Sequence, residues 1–172
     1  AILRDTTPIV EQVSIDEAFL DVSDMPQPIG SIALDLQKRV FQETGLPCSL
    51  GCANSRLVAK IANDYGKKQV KTGRSPQKIT VIETGKEEEF MAPLDIQALW
   101  GVGPKTAAHL RQRGITTVGK LAALSDADLK NYFGQHGESM RRRAKGIDNS
   151  PIYSDSGDPK SVSNEMTFHE DQ

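Results

Sequence analysis

The sequence predicts an α+β fold over residues 1–83, followed by a small all-helical unit over residues 84–150. In the first region, alternating and helically spaced apolar residues follow one another in a ββαβαβ-like order. This order is typical of two helices packed on one face of a mostly antiparallel sheet. From Asp95 to Ile147 no strand pattern occurs, and short helical patterns are separated by glycine. Residues 151–160 are rich in Asp, Ser, Pro and Gly, which predicts a linker, and residues 161–172 would begin a further domain.

Two short strands are predicted near the amino end, at Val10–Ile15 and Ala18–Val22, because apolar and polar residues alternate there. Only Asp16 and Glu17 separate these strands, which predicts a tight hairpin. The elements predicted further along are a helix from Ile29 to Val40 stopped by Gly45, a strand at Cys48–Ala53, a helix capped by Asn54 or Ser55 and ended by Gly66, and a strand at Ile79–Ile82.

The all-helical unit is predicted from short apolar patterns at helical spacing, which follow a short acidic segment at Lys86–Phe90. The predicted helices are Ile96–Trp100, Pro104–Arg113, Val118–Leu124, Ala127–Phe133 and Gly137–Lys145. Because the helical spacing replaces the alternation seen earlier, this region is expected to be a unit of its own.

Charge is distributed unevenly along the chain, although the formal net charge is only -2. Residues 56–78 carry seven Lys or Arg against one acid, and residues 101–147 carry nine against three. Two basic stretches in an otherwise acidic chain fit a phosphate-binding groove, because such binding depends on local and not on net charge. Two solvated faces would give the same pattern, so charge alone leaves both interpretations open.

Cys48 and Cys52 are too few for a disulfide framework, and no second pair accompanies them for a structural zinc site. We expect buried thiols in a reducing compartment. The sequence shows no signal peptide and no apolar run of membrane-spanning length. These features predict an intracellular, cytoplasmic protein without a membrane partner.

The acidic pair Asp16–Glu17 lies within an apolar run and is the most informative feature of the chain. A carboxylate half-wrapped in apolar surface is unfavourable unless a basic side chain or a hard cation compensates it. Mg²⁺ prefers oxygen ligands, and at a hairpin turn two neighbouring acids can converge on one site. Such carboxylates suit two-metal phosphoryl transfer, with a third ligand expected from elsewhere. An exposed acidic turn without metal is the alternative.

A second motif is the sequence Gly101-Val102-Gly103, which precedes a predicted helix with Lys105 and Thr106 in its first turn. The glycines free the backbone to approach a ligand closely, and the N–H groups at a helix N-terminus bind anions. This is the helix-hairpin-helix pattern, which grips a DNA backbone without reading bases. An ordinary tight turn between two helices is the alternative.

Basic side chains also accompany the predicted helix that starts at Ser55. A triphosphate or a nucleic-acid template would attract this group, which comprises Lys60, Lys67, Lys68, Lys71 and Arg74. Surface solubility explains each of them equally well, with the exception of Lys67. The run Arg141–Arg143 with Lys145 would fan around a helix, which favours a solvated face over a specific site.

Three segments together resemble the Y family of translesion DNA polymerases, of the DNA polymerase IV type. Val13–Asp21 resembles the palm motif of that family, Gly51–Asp64 resembles its next palm segment, and Leu99–Ile115 is similar to the helix-hairpin-helix of its thumb. The segments occur in family order, and the resemblance extends over about residues 8–168. It implies a partial polymerase palm followed by a small helical thumb.

The resemblance also implies roles for individual residues. Asp16 and Glu17 would be two of three catalytic carboxylates and would hold two Mg²⁺ ions, and Lys67 would contact the triphosphate of the incoming nucleotide. The primer-strand backbone would lie against Gly101–Lys105. Primer-template DNA and deoxynucleoside triphosphates are then the expected partners of a monomer, together with a sliding clamp bound through residues outside this sequence.

The sequence departs from the family pattern in several places. It lacks the family's N-terminal strand with the remaining catalytic Asp and the fingers, and it reaches the little finger only through a first strand at Ser161–Phe168. Lys68 and Gln69 follow Lys67 where the family often has a Pro-Asn-Gly-like turn. We therefore expect a palm-plus-thumb fragment, inactive alone, of a Mg²⁺-dependent DNA polymerase that bypasses damaged DNA. A non-catalytic DNA-binding module and a metal-dependent nuclease carrying a helix-hairpin-helix are the alternatives.

Overall fold

A computed structural model describes residues 1–69 and 77–154 of the chain. The strands in these ranges are β1 (Val10–Gln12), β2 (Ala18–Leu20), β3 (Leu50–Cys52) and β4 (Ile79–Val81). The α-helices are α1 (Ile2–Thr6), α2 (Ile29–Thr44), α3 (Arg56–Lys68), α4 (Glu87–Met91), α5 (Pro104–Gln112), α6 (Val118–Ala122), α7 (Asp126–Phe133) and α8 (Gly137–Ala144). Short 3-10 turns lie at Ile96–Ala98 and Gly134–His136. The predicted strand Ser161–Phe168, the second half of the predicted linker, Lys71 and Arg74 lie outside the described residues.

The predicted hairpin is present, but its turn is longer than the sequence indicated. Strands β1 and β2 pair antiparallel, and the ladder ends where Gln12 faces Ala18. Five residues, and not two, therefore connect the strands, and the N–H groups of Val13 and Ser14 both donate to the carbonyl of Glu17. The prediction of a two-residue turn was wrong because Ser14 forms local hydrogen bonds. Its hydroxyl donates to the Asp16 carboxylate and accepts from the Asp16 N–H, and such bonds compete with continuation of the strand ladder.

The second pair of strands is parallel, which the prediction of a mostly antiparallel sheet did not include. Strand β3 pairs with β4 in parallel, because helix α3 crosses over between them. A Cβ on Gly51 would lie 2.0 Å from the carbonyl oxygen of Ala59 in α3, so strand and helix backbones are in direct contact. Gly66 does not end the helix as predicted; a Cβ there would lie 2.3 Å from the Thr80 hydroxyl of β4. Both glycines thus bring α3 close to the sheet.

Helix α2 lies beside this pair and contacts both of its strands. Its apolar side chains at Ile32, Ala33 and Leu36 are buried, in agreement with the predicted helical spacing. The helix stops at Gly45, as predicted, and the φ of 71° at Gly45 is the left-handed conformation that favours glycine. The short helix α1 was not predicted, because five residues are too few to reveal a helical period.

The helical region from α4 to α8 shares its core with the preceding region. Leu57, Val58 and Ile61 of α3 belong to the same buried cluster as side chains contributed by the later helices and turns. The later members include Met91, Ile96, Leu99, Val102, Leu110, Val118, Leu121 and Leu129. The first predicted helix of this unit, Ile96–Trp100, is a 3-10 turn at Ile96–Ala98, and the other predicted helices agree with α5 to α8 within two residues at each end. One continuous apolar core therefore joins α3 to the helical region that follows.

Both cysteines are free thiols, with Cys52 buried as expected and Cys48 half-buried. Burial raises the pKa of both thiols. Over the ranges that the structure describes, no helix is both long and apolar enough to cross a bilayer.

Candidate active site and nucleic-acid interface

The tip of the β1–β2 hairpin presents Asp16 to solvent. The Ser14 hydroxyl donates a 2.7 Å hydrogen bond to Oδ1 of Asp16. This hydrogen bond is the largest cause that holds the pKa of Asp16 below its ordinary value, and the positive charges of Lys67 and Lys60 act in the same direction. The carboxylate therefore stays ionised and lies in the field of both lysines.

Glu17 lies next to the same lysines. Its Oε1 accepts a 2.5 Å hydrogen bond from the Lys60 ammonium and lies 3.7 Å from Nζ of Lys67. Lys60 also lies 3.4 Å from a carboxylate oxygen of Asp64. Partial burial works against the charged form of Lys60, but the hydrogen bond that Lys60 donates to Glu17 and the charge of Asp64 outweigh it and raise the pKa of Lys60. One acid of the hairpin, Glu17, thus contacts two lysines of α3, and Asp16 lies in the field of the same two.

Helix α3 presents Lys60 and Lys67 to the hairpin on one of its faces. The Ser55 side chain caps the helix by accepting from the N–H of Val58, as one of the two predicted caps. Positions seven residues apart lie almost above each other on a helix, so Lys60 and Lys67 share one face beside the buried apolar one. The sequence analysis placed Lys60 among the basic side chains that could meet a triphosphate or a template, but it singled out only Lys67. The spacing of seven between the two is the signal that would have paired them.

The pair of acids fits only part of a magnesium site. Among residues 1–69 and 77–154, no group of three or more His, Cys, Asp or Glu side chains is arranged to hold a metal ion. The side chain of nearby Asp21 forms a local hydrogen bond instead, accepting from the N–H of Ser23. Mg²⁺ is commonly held by one or two carboxylates together with substrate phosphates. Asp16 is exposed at the tip, and Glu17 would have to be released from Lys60 before the two acids could meet that lesser requirement.

The predicted helix-hairpin-helix turn lies between the 3-10 turn and α5. Gly101 adopts a φ of 98°, and buried Val102 anchors the turn through its N–H bond to the carbonyl of Leu99 at 2.9 Å. The Arg143 guanidinium supports it from α8 by donating to the carbonyl of Trp100 at 2.5 Å. This contact corrects the expectation that the arginine run is only a solvated face.

The N-terminus of α5 is open on its outer side. A Cβ on Gly103, the N-cap, would have nothing within 4 Å, and Lys105 and Thr106 are exposed. The first-turn N–H groups of a helix have no partner within the helix and carry partial positive charge. The five predicted residues of this motif therefore lie together in the turn and in the first turn of α5, and all of them except Val102 are exposed.

Comparison with protein families gives two matches along the chain. Residues 1–64 match the impB/mucB/samB family, and residues 84–115 match the helix-hairpin-helix motif of the same family. Together these matches cover more than half of the chain.

Curated relatives agree with these matches. DNA polymerase IV of Dehalococcoides mccartyi is 39% identical over 173 residues, which is 99% of this chain and 42% of that protein. DNA polymerase IV of Methanoculleus marisnigri is 39% identical over 164 residues, covering 94% of this chain and 43% of that protein. The chain thus spans less than half the length of the curated relatives it matches.

Solved structures show the same fold. DinB from Sulfolobus solfataricus aligns with a TM-score of 0.74 at 22% identity, over 88% of this chain and 43% of that one. A Y-family DNA polymerase chimera of Dbh and Dpo4 aligns with a TM-score of 0.75 at 22% identity, again over 88% and 43%. The chain belongs to the Y family of DNA polymerases. Its fold is accordingly a polymerase palm segment followed by a helical thumb, as the sequence predicted.

The two family matches contain most of the candidate residues of this Y-family chain. The acidic pair and Lys60 lie within the match over residues 1–64, and Gly101 to Thr106 lie within the match over residues 84–115. Lys67 lies outside both, and its assignment depends on its position beside Glu17.

Proposed function

We propose that the chain supplies part of the palm and the thumb of a translesion DNA polymerase, which transfers nucleotides to a primer 3′-hydroxyl and bypasses damaged DNA. One observation carries the proposal: α3 places Lys60 and Lys67 against the acidic hairpin, so that the Glu17 carboxylate and two ammonium groups occupy one site next to Asp16. Phosphoryl transfer needs both, because carboxylates hold Mg²⁺ and ammonium groups attract the phosphates. The curated relatives at 39% identity are named DNA polymerase IV.

Asp16 and Glu17 would hold Mg²⁺, which supplies Lewis-acid stabilisation of charge on the phosphoryl oxygens. Lys67 is half-exposed and lies 3.7 Å from Glu17, so it can turn toward a triphosphate without leaving the site. Lys60 is more buried and balances Glu17 until a cation takes its place. Deoxynucleoside triphosphates are thus the proposed small-molecule substrates.

The thumb would hold the primer strand by its backbone. The open N-terminus of α5 offers N–H donors, and Lys105 adds a charge at the same place. Because no base edge needs to be contacted, binding there is expected to be independent of sequence and steeply dependent on salt.

Primer extension past an abasic site by the complete protein that contains this chain tests the catalytic assignment. Asp16→Ala and Glu17→Ala are each expected to lower the extension rate by about 100-fold or more, as does removal of a charge-stabilising group in other enzymes. Glu89→Ala is the matched control, because Glu89 is an exposed acid paired with Lys86 far along the chain. Normal extension with both hairpin acids replaced would refute the assignment.

The thumb contact is tested by titrating duplex DNA at several salt concentrations. Lys105→Ala is expected to reduce the slope of log K against log salt by about one, since one phosphate contact is lost. Lys86→Ala serves as the control of equal charge, and an equal loss of slope in both variants would contradict a specific contact.

A DNA-binding role without catalysis is the second candidate. It is favoured by the 2.5 Å contact of Lys60 with Glu17, and by the lack of a three-carboxylate cluster among the residues that the structure covers. Both roles predict salt-dependent DNA binding, and only the polymerase role predicts primer extension that depends on Asp16 and Glu17. Under either role, we propose a cytoplasmic, monomeric protein, with recruitment by a sliding clamp as a further expectation.

A further inference from the structure

Arg56 joins both strands of the acidic hairpin to the start of α3. Glu11 and Phe19 face each other across the β1–β2 ladder. The guanidinium of Arg56 donates to Oε1 of Glu11 at 2.8 Å and lies over the Phe19 ring, 4.9 Å from its centre. A basic residue in the first turn of a helix is unfavourable for the helix dipole, so a compensating acid is expected there. Helix α3 therefore holds the hairpin at its base through Arg56 and at its tip through Lys60.

The Arg56–Glu11 ion pair also binds the segment that leaves the thumb. We name residues 148–153 the exit strap. The second terminal nitrogen of Arg56 donates to the carbonyl of Pro151 at 2.8 Å, and the second carboxylate oxygen of Glu11 accepts from the N–H of Tyr153 at 2.9 Å. Only 14% of the Arg56 side chain and 17% of the Glu11 side chain are exposed, the lowest values for an ion pair in the described ranges. Charge-assisted hydrogen bonds in such surroundings are strong.

Asp148 fixes the beginning of the strap to the same end of α3. Its Oδ2 accepts from the N–H of Leu57 at 3.2 Å, and its Oδ1 accepts from the Ser150 hydroxyl at 2.6 Å. Burial works against the ionised carboxylate, but these hydrogen bonds outweigh it and hold the pKa of Asp148 below its ordinary value. The exit strap, whose second half belongs to the predicted linker, is thus bonded to the palm at three points.

We propose that Arg56 is a positioning residue that couples the docked exit strap to the acidic hairpin. The physical reason is that both groups of the ion pair are bidentate. The Arg56 guanidinium and the Glu11 carboxylate each use one terminal atom to bind the strap and the other to bind each other, which links α3 to β1. When the strap leaves, both groups regain freedom, and the hairpin base is held less tightly. The inference rests on the proposed function in one respect, namely that this hairpin is the catalytic one.

Amide hydrogen exchange of the 172-residue chain tests the coupling without an activity assay. Tyr153→Pro removes the N–H that Glu11 accepts, and Tyr153→Ala keeps that N–H while removing a side chain that is 59% exposed. The reporters are the amides of Val13 and Ser14, which donate to Glu17 in the hairpin turn. With Tyr153→Pro their exchange should become about tenfold faster, the scale of one charge-assisted bond. With Tyr153→Ala their exchange should stay within about twofold.

The amide of Leu129 in the thumb serves as the reference, because it donates to Ser125 far from the strap. Unchanged hairpin exchange in Tyr153→Pro would overturn the proposal, and so would equal acceleration at Leu129, since that result means general destabilisation. Arg56→Lys is the independent variant: it keeps the charge but loses the fork that serves two acceptors, so the same acceleration is expected. These outcomes do not depend on primer extension, so a failed coupling and a failed polymerase assignment are distinguishable.

Discussion

Gly51 sets the depth at which α3 packs on the sheet, and Gly51→Ala tests this directly. The added Cβ would lie 2.0 Å from the Ala59 carbonyl oxygen and 2.4 Å from the Asn63 nitrogen, both of them backbone atoms of α3. Ordinary contacts begin near 3.4 Å, so the helix must move away by about an ångström or more. Overpacking of this kind costs about 3 kcal/mol, and more when only backbone can yield. We expect a corresponding loss in the free energy of unfolding, measured by urea titration of the chain.

Gly30→Ala is the matched control, because Gly30 lies in the first turn of α2 with nothing within 4 Å of its added Cβ. That change should be neutral or stabilise the chain by about 0.5 kcal/mol, since alanine favours helix. A loss below about 1 kcal/mol in Gly51→Ala would refute the close packing of α3 on β3. If the packing holds, displacement of α3 also carries Lys60 away from Glu17, so the variant should lose extension activity beyond its loss of stability.

Further predictions concern the thumb turn and two carboxylates. Gly101→Ala should lower the free energy of unfolding by about 1–2 kcal/mol because its φ is 98°, whereas Gly103→Ala should keep the melting temperature and weaken DNA binding in an anisotropy titration. Ser14→Ala should raise the pKa of Asp16 toward its ordinary value in an NMR titration, and an unchanged pKa would contradict the role of the hydroxyl. The lowered pKa of Asp148 means stability that is present above the unfolded-state pKa and lost as the pH falls through the folded value. Asp148→Asn should therefore flatten the pH dependence of unfolding below about pH 4.

The sequence predicted those features that follow from local pattern. Apolar spacing located α3 and α5, and Gly101-Val102-Gly103 located the thumb turn, because a helix start and a glycine-rich turn are encoded within a few residues. The acidic pair was also recognised, but the reason given for it holds only for Glu17, which is half-buried and paired with Lys60; Asp16 and its neighbour Ile15 are exposed.

Other features depend on contacts between distant segments and were not predictable in the same way. The parallel pairing of β3 with β4 is decided by the crossover of α3, and the role of Gly66 is decided by Thr80 in the next strand. No partner was predicted for Arg56, because its partners Glu11 and Pro151 lie 45 and 95 residues away in sequence. The spacing of apolar residues along the sequence carries no information about such distant partners.

The buried cluster that contains Leu57 and Val58 of the palm together with Leu99 and Val102 of the thumb has a mechanical consequence. Rigid-body rotation of the thumb would expose the apolar side chains that it packs against α3. Adjustment to a nucleic acid is therefore expected from side-chain rotamers and from the turns between helices. Heating should likewise dismantle α3 and the backbone-gripping turn in a single event, because the two are sealed by the same side chains.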